Sequence, residues 1–412
     1  LDGPAGMWCM QTGYGRREIA DAVSEQIMTL SYATSFTVIN NREVELAERI
    51  AAKTPGDLNR IYFTTGGSTA VDSALRLCQL ASNIKGQPHR KHILTREKAY
   101  HGSTYLSASI TGKERDKTAM DIMRDGVHFL SAPCYFYHPE FATEAEFCDF
   151  LVDELEQKIL ELGPENIMCF IAEPVMASGG VIVPPADYNY RCWQMVKKHE
   201  ITYIADEVVT AFGRLGYWFA SEKVFGIVPD IIIFAKGVTS GYIPMGGYAV
   251  SESFLDSFSG DNAEGCLYSN GYTWGGSPVA CAAALASWDI IEKEELLDRV
   301  LEIGPYFQQQ LQTLQDIPLV GNVRGEGLMA AVEMTIEGRN ELDLLEKDYA
   351  IGEMVDQHCQ KLGLLVRPFI NICIISPPLI INKKQVDELV SILRQGLELT
   401  LTDLRDQGVW VD

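Results

Sequence analysis

The chain of 412 residues carries 34 Lys and Arg against 56 Asp and Glu, a net charge of −22, with 47% hydrophobic and 22% charged residues. That length implies about two or three domains, and the composition supplies a large core, which excludes a disordered chain. The acidic balance argues against nucleic acid or an anionic membrane surface as a partner, because both need a basic face, and no apolar run reaches the roughly 20 residues of a membrane span.

The chain opens Leu1-Asp2-Gly3-Pro4 without Met, so its native start is expected upstream, and no signal-peptide pattern precedes the first polar residues. Ten cysteines stand singly, with no CxxC and no disulfide spacing. They read as free, buried thiols in a reducing cytoplasm.

In chain order, Ile61-Tyr62-Phe63-Thr64 predicts a strand, followed by a Gly-rich turn and a helix to about Leu80. His92–Thr95 and Val127–Leu130 are expected to be the second and third strands, and the runs IMCFIA (167–172), ITYIA (201–205) and IIIFA (231–235) three more. Continuous apolar strands separated by helical segments indicate a mainly parallel sheet covered on both faces. Gly246–Val250 follows the last of them so closely that an antiparallel return is expected. From about residue 296 the pattern changes to a helix over Leu296–Leu314, an apolar strand after Gly327, a strand near Leu364–Arg367 and a helix over Lys384–Asp403. The expected organisation is a large α/β domain over 45–295 and a smaller α+β domain over 296–412, onto which residues 1–44 pack.

Three ionisable residues end consecutive apolar strands: Glu173 after IMCFIA, Asp206 after ITYIA and Lys236 after IIIFA. Their spacings fit one βαβ unit each, and right-handed crossovers bring such strand ends to one edge of the sheet, where open α/β proteins bind ligands. Taken singly, each has an ordinary reading: the acids as helix caps, the lysine as a side chain reaching for water. Together they meet the needs of pyridoxal phosphate (PLP), which takes a Schiff-base lysine and an acid facing its pyridinium nitrogen. A lysine in an apolar place has a lowered pKa and becomes a nucleophile.

Thr65-Gly66-Gly67-Ser68-Thr69, between a strand and a helix, suits a phosphate. It equally suits a dinucleotide turn or a plain tight turn. The second strand ends Thr95-Arg96 without an acid for a ribose, which counts against NAD. Tyr100-His101-Gly102 offers an aromatic cover for a cofactor ring. His89 and His92, an HxxH pair in a basic stretch, read as solvent-facing, and no metal site is expected.

Taken together, the motifs FTTGGSTAVDSALR (63–76), AYHGST (99–104), FIAEPVMASGGVIVPP (170–185), IADEVVTAFGRLG (204–216), PDIIIFAKGVTSGYIPMGG (229–247), YTWGGSP (272–278) and VRP…SPPLII (366–381) resemble the class III, fold type I PLP-dependent aminotransferases, in their ω-amino acid:pyruvate branch. The resemblance covers essentially the whole chain. It implies that Lys236 holds PLP as a Schiff base and carries the proton between substrate and cofactor. By the same resemblance Asp206 faces the pyridine nitrogen, Val208 and Tyr100 cover the two ring faces, and Gly67 and Ser68 bind the phosphate. Thr273 would reach the phosphate of a second subunit. Glu173, Glu207 and His101 would support the cofactor. Arg367 would pair with substrate carboxylates, and Met7, Trp8, Tyr32, Phe36 and Tyr135 would line the substrate pocket. In this branch the phosphate loop more often reads SGSEAN; here Thr69 and Val71 replace Glu and Asn.

The implied protein is a cytoplasmic homodimer with shared active sites, or a tetramer of such dimers. It would move an amino group from an amine or ω-amino acid to pyruvate by a ping-pong route. The alternatives are an aminomutase of the glutamate-1-semialdehyde type, an NAD-dependent dehydrogenase using the TTGGS turn, and a non-catalytic PLP-fold protein.

Overall fold

A computed structural model of the chain describes residues 1–258, 263–335 and 345–410. Near the start, helix α1 covers Arg17–Leu30 and α2 covers Asn41–Ala51. The Asn40 side chain accepts the Glu43 N–H at 3.0 Å and so starts α2. Then follow β1 (Arg60–Thr64), α3 (Gly67–Ile84), β2 (His92–Arg96), β3 (Val127–Leu130), α4 (Glu144–Leu162), β4 (Ile167–Ala172), α5 (Tyr188–Lys198), β5 (Thr202–Asp206), α6 (Ala220–Phe225), β6 (Ile231–Phe234), β7 (Gly246–Val250) and α7 (Pro278–Lys293).

These seven strands form one sheet in the order β1-β7-β6-β5-β4-β2-β3. Only β7 runs against its neighbours β1 and β6, the return expected from its short connection; the other pairs are parallel. Every residue of β4, β6 and β7 is buried. Helices cover both faces, so these strands read as unbroken apolar runs rather than alternating ones. The stacked rings of Trp218 and Trp288, 3.8 Å between centroids, join α7 to the loop after β5.

The later part of the chain holds α8 (Leu296–Gln312), β8 (Val320–Glu326), β9 (Met329–Met334), α9 (Leu345–Lys361), β10 (Arg367–Phe369), β11 (Ile372–Ile375) and α10 (Lys383–Asp406). Its strands form an antiparallel sheet in the order β10-β11-β9-β8. Asn382 and Gln385 close a reciprocal capping box at the start of α10. The strand expected at 364–367 starts only at Arg367, because Leu365 instead pairs with Asp2 in an isolated parallel bridge. The first residues lie on this second unit: Gly3 donates to the Leu365 carbonyl, and Leu379 donates to that of Gln11. Helices α1 and α2 pack on α7.

Eight of the ten cysteines are buried thiols, Cys9 is half-buried and Cys266 is exposed. Of the HxxH pair, His89 is exposed as expected, whereas His92 is half-buried at the start of β2, with Nδ1 2.9 Å from Nε2 of His128 on β3. Among the described residues no helix is long and apolar enough to cross a membrane.

Candidate active site

Strands β4, β5 and β6 are adjacent, so Glu173, Asp206 and Lys236 do reach one edge of the large sheet. All three line a cavity of about 340 Å³. Asp206 is buried, with Oδ2 2.7 Å from Nδ1 of His101 and Oδ1 accepting the Val208 N–H at 3.1 Å. Its carboxylate is thereby oriented from both oxygens. Among the described residues the other, buried ring nitrogen of His101 has no hydrogen-bond partner. Glu173 accepts the N–H of Tyr100 at 3.0 Å and of Ala177 at 3.2 Å, tying the Tyr100 loop to the end of β4. Burial pushes its carboxyl pKa up, against the lowering pull of His101.

Lys236 sits two residues beyond β6 at φ 42°, in the left-handed region that non-glycine residues rarely occupy. A strained backbone at a strand end is the kind of feature a functional site retains. Among the described residues its amine makes no hydrogen bond; it lies 5.6 Å from the centroid of the Trp8 ring. Burial lowers its pKa, opposed by Asp206 and Glu173. A larger share of free amine at neutral pH follows, which is what a nucleophilic lysine needs.

The helix α3 begins at Gly67 with no side chain capping it, so its first N–H groups face the cavity rim formed by Thr65, Gly66, Gly67 and Ser68. A Cβ on Gly67 would come within 3.2 Å of Val208. The Ser68 hydroxyl accepts the Ser103 N–H at 3.0 Å. Tyr100 and Val208 both line the cavity. Thr69 bonds to the Gly66 carbonyl at 2.9 Å, and Val71 is fully buried, so the two residues that depart from the usual phosphate loop turn inward. An anchoring amine, an oriented acid, two ring-sized walls and a helix start together fit PLP.

The other expected residues fall in three places. Met7 and Trp8 line this cavity. Arg367 lies behind them, its guanidinium 5.2 Å from the Trp8 ring and in contact with the Met7 sulfur. Burial lowers its pKa. Tyr32, Phe36 and Thr273 are exposed and do not line the cavity within one chain. They share a surface instead: Tyr32 meets Trp274 edge-on at 5.2 Å, and Phe36 packs over Gly271. Tyr135 lies away from the expected site. It lines a separate cavity of about 630 Å³ beside Arg324, and its hydroxyl donates to the Phe141 carbonyl at 3.2 Å. A short 3₁₀ turn, Tyr135–Tyr137, carries the ring there.

Glu207 also differs from expectation. Its buried carboxylate turns away from the cavity and accepts four bonds, from the Ala220 and Ser221 N–H groups and the Ser221 and Thr210 hydroxyls. It caps α6 from across the loop. Cavity residues missed in the sequence are Cys9, Ser178, Thr239 and Met245. Ser178, Thr239 and Met245 stood inside motifs already singled out, without a role assigned to them; Cys9 carried no signal.

Comparison with known proteins agrees with this geometry. The family model for aminotransferase class-III matches residues 1–397. A putrescine–pyruvate aminotransferase of Pseudomonas aeruginosa is 38% identical over 402 residues, covering 97% of this chain and 87% of that protein. An (S)-enantioselective ω-transaminase of Thermomicrobium roseum superposes with a TM-score of 0.91 at 35% identity, covering 97% of this chain and 88% of that one. An amine transaminase from an uncultivated Pseudomonas species, solved in its PLP-bound form, gives a TM-score of 0.90 at 34% identity over 97% and 90% of the two chains. The dinucleotide alternative for the TTGGS turn is thereby set aside. With the matched family model, the shared fold and the assembled cavity, the chain belongs to the PLP-dependent class III aminotransferases.

Proposed function

We propose that the chain moves an amino group from an amine or ω-amino acid to pyruvate or a related keto acid, in two half-reactions at one site. The observation that carries this reading is the meeting of Lys236 with the His101-oriented Asp206 over a cavity rimmed by an uncapped helix start. When bound, PLP supplies an electron sink for the substrate's Cα. Lys236 would anchor it and carry a proton to and from that carbon as general acid and base. Asp206, its carboxylate aimed by His101, would keep the ring nitrogen protonated. Gly67 and Ser68 would hold the phosphate, and Tyr100 and Val208 would pack against the ring. Glu173 braces the Tyr100 loop.

Met7 and Trp8 form an apolar wall that suits an alkyl or aryl amine, and Arg367 offers a planar guanidinium to a carboxylate. The exposed Tyr32, Phe36 and Trp274 group is proposed as the surface that a second copy covers, so that Thr273, Tyr32 and Phe36 complete the neighbouring site. The free thiols support a cytoplasmic location. The proposed units are a large one over 45–295 and a small one formed from 1–44 and 296–412.

The test is the visible absorbance of PLP-loaded protein. A donor amine should bleach the band and pyruvate should restore it, and Lys236→Ala should abolish turnover in a folded protein. Substantial amino transfer by Lys236→Ala, or a band that no amine alters, refutes the reading.

A further inference from the structure

Beside the cavity lies a second lysine that the reaction above does not use. Lys113 follows the Tyr100 loop and is 9% exposed. Among the described residues no carboxylate lies within 4.0 Å of its nitrogen. Its one hydrogen bond among the described residues, 2.5 Å long, goes to the hydroxyl of Ser178 in the cavity wall. The rest of the ammonium is packed against rings: Phe369 at 4.0 Å and Tyr100 at 5.2 Å to the centroids. A buried cation with no ion-pair partner is a cost to folding, and packing alone would be met by Met or Leu.

The chemistry of the hydroxyl follows from that bond. Ser178 spends a lone pair on an ammonium, so its own proton is free and polarised outward. Among the described residues its oxygen has no other partner. A hydroxyl in this state donates to an anionic or carbonyl oxygen and repels an ammonium. Arg367, two residues before Phe369, adds a second positive charge on the same side. The cavity acids are engaged elsewhere and offset this only in part: Asp206 pairs with His101, and Glu173, which also attracts the Lys113 ammonium from a distance, accepts two backbone N–H groups.

We propose that the Lys113–Ser178 pair is a specificity-determining element of the substrate pocket, selecting donors whose far end is a carboxylate and disfavouring diamines. The proposal rests on the amino-transfer reading above and narrows it to ω-amino acids. Lys113 acts as a positioning residue, through the Ser178 hydroxyl. The groups facing it are the carboxylates of Glu173 and Asp116, the guanidiniums of Arg115 and Arg367, and the rings of Tyr100 and Phe369. Burial lowers its pKa to about 8, so its charge, and with it anion recognition, fades as pH rises through that value.

The experiment uses PLP-loaded protein and three donors that share a four-carbon chain: 4-aminobutanoate, butylamine and 1,4-diaminobutane. The rate of band loss gives kcat/KM for each, and calorimetry gives the Kd of unreactive butanoate. Lys113→Met and Ser178→Ala should each lower the ratio of 4-aminobutanoate to 1,4-diaminobutane by roughly tenfold, the effect of one nearby charge in a partly desolvated site. Both should weaken butanoate by a similar factor, and Lys113→Arg should keep most of the preference. Butanoate should bind the parent protein more weakly above pH 8, with that step absent in Lys113→Met. Ser178→Ala keeps the lysine in place and stands alone if Lys113→Met does not fold. The proposal is overturned if all three donors slow equally, or if the ratio and the butanoate Kd stay within twofold of the parent. If no donor bleaches the band, the amino-transfer reading fails, and butanoate binding decides the pair by itself.

Discussion

Asp206 and Glu207 are neighbours in the chain with opposite duties, and separating them tests the reading of the site. Replacing Glu207 with Gln keeps the shape and puts an amide nitrogen where one carboxylate oxygen stood. One oxygen accepts the Ala220 N–H at 2.7 Å and the Thr210 hydroxyl at 3.0 Å; the other accepts the Ser221 N–H at 2.9 Å and its hydroxyl at 2.5 Å. Gln can accept on one side only; on the other its NH2 group can donate to the Thr210 or Ser221 hydroxyl, but the backbone N–H there loses its acceptor. That buried orphan costs about 1–3 kcal/mol. Part of that is offset because an unpaired charge is no longer buried; its cost shows in the raised pKa of Glu207, which burial causes. The expected net loss is about 1–2 kcal/mol. Urea unfolding at fixed PLP should show a lower midpoint, while single-turnover rates stay within about threefold. Asp206→Asn should do the reverse: on the order of 10² to 10⁴ less turnover, with little change of midpoint. A Glu207→Gln protein as stable as the parent but more than a hundredfold slower would refute the division of roles.

Two further predictions concern the cofactor. Gly102 has φ 141°, and a Cβ there would lie 2.5 Å from the Ser107 hydroxyl and 2.8 Å from Ser68 Cα. Gly102→Ala should therefore displace Ser68 at a strain of about 1–3 kcal/mol, weakening PLP roughly ten- to a hundredfold in a titration of apoprotein; unchanged affinity would remove Ser68 from the phosphate site. Because burial holds Lys236 below its ordinary 10.5, its free amine appears at lower pH than that of an exposed lysine. The rate at which apoprotein takes up PLP should rise with pH and level off below that value. A rise that continues to pH 10.5 would show an unperturbed lysine.

Much of the fold was legible because burial on both faces leaves a strong mark. IMCFIA and IIIF are β4 and β6 to within a residue, since a strand covered by helices on both faces favours apolar side chains on both. The antiparallel β7 followed from a connection too short for a crossover. The strand misplaced near 364–367 failed for a non-local reason: Leu365 is held by Asp2, almost the whole chain away. Glu207 and Tyr135 matched their motifs, yet one caps α6 and the other turns into a separate cavity, because a motif does not specify where a side chain points.

What the sequence by itself determined is the order of the strands that carry chemistry and the residues at their ends. Chain chirality then permits only one edge for Glu173, Asp206 and Lys236. What only the tertiary structure decided is what each charge faces. His101 aims Asp206, four donors claim Glu207, and Lys113, with no carboxylate within 4.0 Å among the described residues, bonds to Ser178. A side chain's pKa and its hydrogen-bond partners depend on desolvation and on groups within a few ångströms, and those groups come from segments far apart in the chain.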